Sequence, residues 1–192
     1  MSNQAQKVSN TKVVTGKIRM SYAYLFTPRT PDDPNEKPKY GLSVLIPKTD
    51  VSTLKKIKAA VEAAKEQGKD SKWGGKIPPS LKTPLHDGDV KKPDSPEYAG
   101  HYFFNASSAQ KPGIVDKDLN PVLDQTEVYS GCYGRVAVNF YPFSIKGNKG
   151  IAAGLNNVQK LEDGESLGGT RSKPEDDFDA VDGGGGDDDF LS

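Results

Sequence analysis

Residues 131–144 read GCYGRVAVNFYPFS, and the alternation in this stretch decides the fold class. Cys132, Val136, Val138 and Phe140 fall on one face of a period-two pattern; Tyr133, Arg135, Asn139 and Tyr141 fall on the other. That period predicts a strand with one side in an apolar core and one side outside it. A turn follows at Lys146-Gly147-Asn148-Lys149-Gly150, and residues 150–161 form the last apolar segment.

Upstream, residues 12–26 alternate in the same way. Ile18, Met20, Tyr22, Tyr24 and Phe26 share one face, and Lys17, Arg19, Ser21 and Ala23 the other, so one long strand with one buried face is expected. Pro28, Pro31, Pro34 and Pro38 each remove a backbone donor and restrict the preceding residue. Residues 27–38 are therefore expected as an extended loop tipped by Arg29. A second strand follows at 39–47, with Leu42, Val44, Leu45 and Ile46 well covered. Asp50 is placed to cap a helix in which Val51, Leu54, Ile57, Val61 and Ala64 make one apolar stripe, ending near Gly68. Lysines 55, 56, 58, 65 and 69 occupy its solvated sides. Residues 72–96 are rich in Gly and Pro and read as loops with room for one short strand; 100–108 and 113–116 read as strands, and 121–130 as a polar connector. Several strands around one inserted helix predict a mainly β protein built as a small closed or nearly closed barrel.

The formal net charge is zero, with 26 Lys and Arg against 26 Asp and Glu. That balance conceals an asymmetry: residues 161–192 carry a net −9 and residues 1–160 a net +9. Residues 1–11 are expected as a flexible arm and 12–164 as the folded domain. Residues 165–192, with two glycine runs and almost no large apolar side chains, are expected as a disordered acidic tail.

Enzyme chemistry finds little support. Cys132 is the only cysteine, which excludes an intramolecular disulfide and suits a cytoplasmic location; no apolar run is long enough to span a membrane. Cys132 with His86 or His101 offers a thiolate and a base, but its place on an apolar face reads as a small buried hydrophobe. His86, Asp87 and Asp89 read as a polar turn, with no second cluster to complete a metal site. Residues 147–150 lack the phosphate-loop pattern. Asn105-Ala106-Ser107 matches a glycosylation sequon that a cytoplasmic chain does not use. No catalytic residue, metal or cofactor is assigned.

Cationic side chains interleaved with exposed aromatics suit single-stranded nucleic acid, which needs phosphate partners and stacking faces but no catalytic geometry. Tyr133, Arg135, Asn139 and Tyr141 form the most informative such surface. Lys17 and Arg19 on the first strand, and Lys146 and Lys149 in the last turn, extend it. Tyr22, Tyr24, Tyr102 and Phe103 are further candidates, with at least half of the aromatics at 22, 24 and 102–104 expected in the core. Trp73 suits either a base platform or a pin holding its loop to the body.

The run VYSGCYGRVAVNFYPFSIKGNKGIAAGLNNVQKLEDGESLGG (128–169), with TPRTP (27–31), YGLSVLIPK (40–48) and YFFNASS (102–108), resembles the single-stranded DNA-binding proteins of tailed bacteriophages. The resemblance covers about residues 12–170. It implies an oligonucleotide-binding (OB) fold, here a five-stranded barrel with one inserted helix, acting in phage replication and recombination. The acidic C-terminus closed by an aromatic is shared in style with such binders, and implies that Asp187, Asp188, Asp189 and Phe190 recruit a polymerase, helicase or nuclease. A homodimer would lengthen the short groove of one barrel. Two other classes stand against this reading: a DNA mimic that binds a basic partner through its acidic tail, and a hydrolase built on Cys132.

Overall fold

The computed structural model describes residues 10–167, together with residue 180. Strands are β1 (Lys12–Val14), β2 (Ile18–Arg29), β3 (Lys39–Pro47), β4 (His86–Asp87), β5 (His101–Ser108), β6 (Gly113–Val115), β7 (Tyr133–Ile145) and β8 (Asn148–Glu162). The main helix, α1, spans Val51–Ser71, and a short helical turn, α2, spans Gly88–Lys91.

Five of these strands close on themselves. β2 pairs with β3, β3 with β5, β5 with β8, β8 with β7, and β7 returns to β2. All of these pairings are antiparallel except β5 with β8, so the three-strand meander meets the terminal hairpin side by side. This order is that of an OB-like fold. β1, β4 and β6 extend the sheet from β7, β5 and β8 respectively.

The alternation expected over 131–144 holds in β7: Val136, Val138 and Phe140 are buried, while Arg135 and Tyr141 are exposed. The expected single strand over 12–26 does not. Its regularity breaks at Thr15-Gly16-Lys17, where the Gly16 N–H donates to Thr53 Oγ1 and Thr53 Oγ1 donates to Asp50 Oδ2, tying the corner to the start of α1. It breaks again at Tyr22, whose φ of 46° accompanies a register shift between Ser21 and Tyr24. Such a bulge re-aims the side chains beyond it. Ile18 and Met20 point into the core, but Tyr22 and Tyr24 do not follow them; Leu25 takes the next inward place. β2 also runs on to Arg29, so the proline-rich loop is confined to residues 30–38.

α1 begins as Asp50 dictates, its carboxylate accepting from Thr53 N. The helix buries Leu54, Ile57, Ala60, Val61 and Ala64 against the ring, in contact with β1, β7 and β8. Trp73, just beyond it, is 7% exposed and donates from Nε1 to the Phe143 carbonyl at 3.2 Å, so it pins its loop to the body. The core joins this helix face to Met20, Val44, Phe104, Val136, Val138, Phe140 and Val158, with the Phe104 and Phe140 rings 5.5 Å apart.

Candidate nucleic-acid interface

The outer face of the ring is divided between a covered half and an open half. Residues 86–98 cover the first. Tyr98 is 1% exposed, packs edge-on against Phe103 with ring centroids 5.0 Å apart, and donates its hydroxyl to Ser21 Oγ. Leu45 completes this satellite cluster. Burial pushes the Tyr98 hydroxyl pKa up and the His86 pKa down, as expected where the charged form loses hydration. The Lys48 ammonium anchors the excursion, 2.8 Å from Asp87 and 2.7 Å from Asp89, and lies 5.1 Å from the Tyr102 ring centroid.

The second half opens into a cleft of about 1100 Å³. Tyr24, Gly41 and Ser107 in its lining belong to one row of strand register, Tyr24 opposite Gly41 and Gly41 opposite Ser107, and beyond the cleft the row runs on to Gly154 and Asn139. At about 4.8 Å per strand, these four steps span roughly 19 Å around the ring. The middle of the row is small. A Cβ at Gly41 would come 2.6 Å from the Ala106 carbonyl, so backbone is exposed there because side chains are excluded. Exposed aromatic rings flank the row: Tyr24, 41% exposed, beside Tyr22, 57% exposed, in the cleft; and Tyr141, 40% exposed, beyond the cleft, its ring against Gly154. Arg29, Lys37, Lys39 and Lys92 line the cleft, opposed by Asp32, Asp33 and Glu36. The Lys92 ammonium is 5.9 Å from the Tyr22 ring centroid.

The predicted site residues therefore separate into groups. Tyr22 and Tyr24 line the cleft, and Asn139 and Tyr141 lie outside its lining, on β7, with Asn139 on the same register row. Asn139 Oδ1 accepts from Thr11 Oγ1, and exposed Arg135 donates from Nε to the Thr15 carbonyl. Lys146 and Lys149 are exposed at the β7–β8 turn, where Lys82 Nζ donates to Asn148 Oδ1. Phe103 is a correction: at 5% exposure, wedged between Tyr98 and His86, it has no free face for a base. Tyr102 is half-buried beneath Lys48, away from the cleft.

Lys17, Arg19 and Tyr133 form another group. The Lys17 ammonium pairs with Glu162 at 2.6 Å; Arg19 donates to the Gly131 and Glu165 carbonyls; both cations lie over the Tyr133 ring, 5.2 and 5.5 Å from its centroid. Tyr129 OH donates to the Gly164 carbonyl and Leu167 N to the Ser130 carbonyl. These contacts hold the chain where it leaves β8. Asp187, Asp188, Asp189 and Phe190 lie outside the described residues, as do residues 1–9 of the expected arm.

Arg29 had a sequence signal as the tip of the proline loop, and Lys39 and Tyr40 as the opening of a strand. Lys37 and Lys92 had none: Lys37 sits in the irregular loop between β2 and β3, and Lys92 reaches β2 only through the folding of a distant excursion. Cys132 is fully buried, its thiol directed at Met20 Sδ at 3.7 Å, and burial pushes its pKa up, the opposite of an activated nucleophile. Among the described residues no group of three or more His, Cys, Asp or Glu is placed to hold a metal ion, and no helix is long and apolar enough to cross a membrane.

A cleft lined by tyrosine, lysine and arginine thus lies on an OB-like ring. The model of the Enterobacter phage Enc34 single-stranded DNA-binding protein family matches residues 11–191. The chain belongs to that family. Among its relatives, protein p50 of Acyrthosiphon pisum secondary endosymbiont phage 1 is 31% identical over 168 residues, covering 82% of this chain and 87% of that protein. The Enc34 family protein solved in complex with single-stranded DNA superposes with a TM-score of 0.71 at 29% identity, covering 82% of this chain and 90% of that one. Bacteriophage T7 gp2.5, a single-stranded DNA-binding protein, shares the fold at a TM-score of 0.62 and 14% identity, over 84% of this chain and 97% of that one.

Proposed function

We propose that the protein binds single-stranded DNA, with little dependence on sequence, across the open half of the ring. The observation that carries this reading is the cleft itself: Tyr22 and Tyr24 beside Gly41 and Ser107, with four cationic side chains at the rim and Tyr141 exposed further along the same outer face. Bases stack on Tyr22, Tyr24 and Tyr141, and phosphates meet Arg29, Lys37, Lys39 and Lys92. Lys146 and Lys149 extend the path at the β7–β8 turn, the equivalent of a loop that OB folds use for oligonucleotides. Lysine and arginine displace counterions condensed on the strand, so affinity falls steeply with salt.

In the phage this activity coats and protects strands exposed in replication and recombination. The acidic residues beyond 167 compete with DNA for the cleft, and once displaced by it they recruit replication proteins. Fluorescence anisotropy with labelled single strands, duplex and RNA across a salt series tests the reading. Tight, salt-dependent single-strand binding is expected; no measurable binding at low salt refutes it.

A further inference from the structure

Asn105 is a neutral polar side chain in the cleft lining that is held by a hydrogen bond to its neighbouring strand. Asn105 is exposed on β5, a strand held between β3 and β8, and it lies directly opposite Ser43. Ser43 is 6% exposed, and its hydroxyl donates to Asn105 Oδ1. Ser43 is in turn opposite Ser21, whose Oγ accepts from the buried Tyr98 hydroxyl. The oxygen of the Asn105 amide is thus engaged from the side by a buried group on the neighbouring strand, and its two N–H donors remain for the cleft.

This matters because the usual way for asparagine to read a base is bidentate, with the amide oxygen accepting from adenine N6 and the amide nitrogen donating to N7. With its oxygen held by Ser43, Asn105 presents donors alone. Where the position-4 edge of a pyrimidine or the position-6 edge of a purine meets it, thymine O4 and guanine O6 accept from such a group, whereas cytosine N4 and adenine N6 are donors that oppose it.

We infer that Asn105 is a specificity-determining residue that favours keto bases, thymine and guanine, over amino bases, cytosine and adenine, at one position in the cleft. The inference rests on the strand occupying the cleft as proposed above. It is compatible with coating mixed sequence, because one hydrogen bond adds a modest bias to stacking and phosphate contacts that every base can make.

Oligo-dT and oligo-dC of equal length provide the test, since both are pyrimidines and differ in the group at position 4. Competition anisotropy should show dT bound roughly fivefold tighter per contacted site, the equivalent of one net hydrogen bond. A dT preference arising only from stacking or strand flexibility would persist when Asn105 is changed, so the decisive quantity is the dT:dC ratio across variants. Asn105→Asp keeps an acceptor for Ser43 and replaces the donors with a second acceptor; it should lower overall affinity and invert the ratio. Asn105→Ala should bring the ratio close to one, and Ser43→Ala, which frees the amide to turn, should reduce it. An unchanged ratio in Asn105→Asp and Asn105→Ala, or no dT preference in the unaltered protein, overturns the inference. The cleft reading fails separately, if Tyr24→Ala and Arg29→Ala leave single-strand affinity unchanged.

Discussion

Tyr24 and Phe103 look alike in the sequence as aromatics on strands, yet their surroundings predict opposite phenotypes. Tyr24 is 41% exposed at the end of the cleft floor, with only Gly41 opposite it in β3. Truncation to Ala removes a stacking face, which is worth about 1 to 3 kcal/mol per base, or roughly 5- to 150-fold in dissociation constant. Little packing is lost, so stability should change by no more than about 0.5 kcal/mol, as for surface positions generally. The slope of affinity against salt should stay constant, because no charge is removed. Phe103 is 5% exposed, with ring centroids 5.0 Å from Tyr98 and 5.4 Å from His86. Phe103→Ala leaves a cavity costing about 3 to 5 kcal/mol. At 2 to 4 °C per kcal/mol for a chain of this size, Tm falls on the order of 10 °C. Anisotropy and thermal unfolding on the same preparations give both readouts, with DNA binding measured well below the lower Tm. If Tyr24→Ala binds within threefold of the unaltered protein, or loses as much Tm as Phe103→Ala, the division of the outer face into cleft and cover is wrong.

Other perturbations probe charge. Arg29→Ala should reduce the slope of log affinity against log salt by about 0.7, the value for one phosphate contact on a single strand; an unchanged slope places Arg29 off the DNA path. Truncation after Leu167 removes the acidic residues while keeping the contacts of 163–167 with the body, and should raise single-strand affinity at low salt; equal affinity and equal salt dependence in the two forms refute competition. Lys48→Met should flatten the acid limb of stability. The hydrogen bond from Lys48 holds the Asp89 carboxyl below its ordinary value of 3.8, so its contribution is complete above about pH 4 and is lost as pH falls through the depressed folded value. Tm measured across the acid range checks this, and parallel curves for the two proteins refute it.

Much of the fold was legible because its strands obey simple periodicity. β7 needed only the alternation of Val136, Val138 and Phe140 with Tyr133, Arg135, Asn139 and Tyr141, and α1 needed only Asp50 and its apolar stripe. The failure at β2 is instructive. Period two assumes an unbroken pleat, and the φ of 46° at Tyr22 breaks it. The break that invalidates the face assignment also turns Tyr22 and Tyr24 outward into the cleft lining. Phe103 failed for a different reason: its cover comes from Tyr98 in an irregular excursion, which no local pattern announces.

Charge was the least legible property, because formal charge does not say which cations are already engaged. Lys17 and Arg19, expected as DNA contacts on a polar strand face, are already engaged by Glu162 and by the carbonyls of Gly131 and Glu165. An exposed pair such as Lys17 with Glu162 adds little stability, about 0 to 1 kcal/mol. Its greater effect is positional. The chain leaves the described body at Leu167, whose N–H donates to the Ser130 carbonyl, while Ser130 Oγ accepts from Ala23 N, between the two cleft tyrosines. The last anchored residue before the acids, which begin at Glu175, therefore lies on the side of Tyr22 and Tyr24, and the proposed competition would draw on the effective concentration that such a tether gives. Competition of that kind needs no tight docking, because charge and proximity suffice. It follows that changing the order of the acids beyond 167 at constant charge should preserve competition in the anisotropy assay, and neutralising them at constant length should abolish it. Loss of competition on reordering alone would mean that a specific docked segment, rather than tethered charge, is responsible.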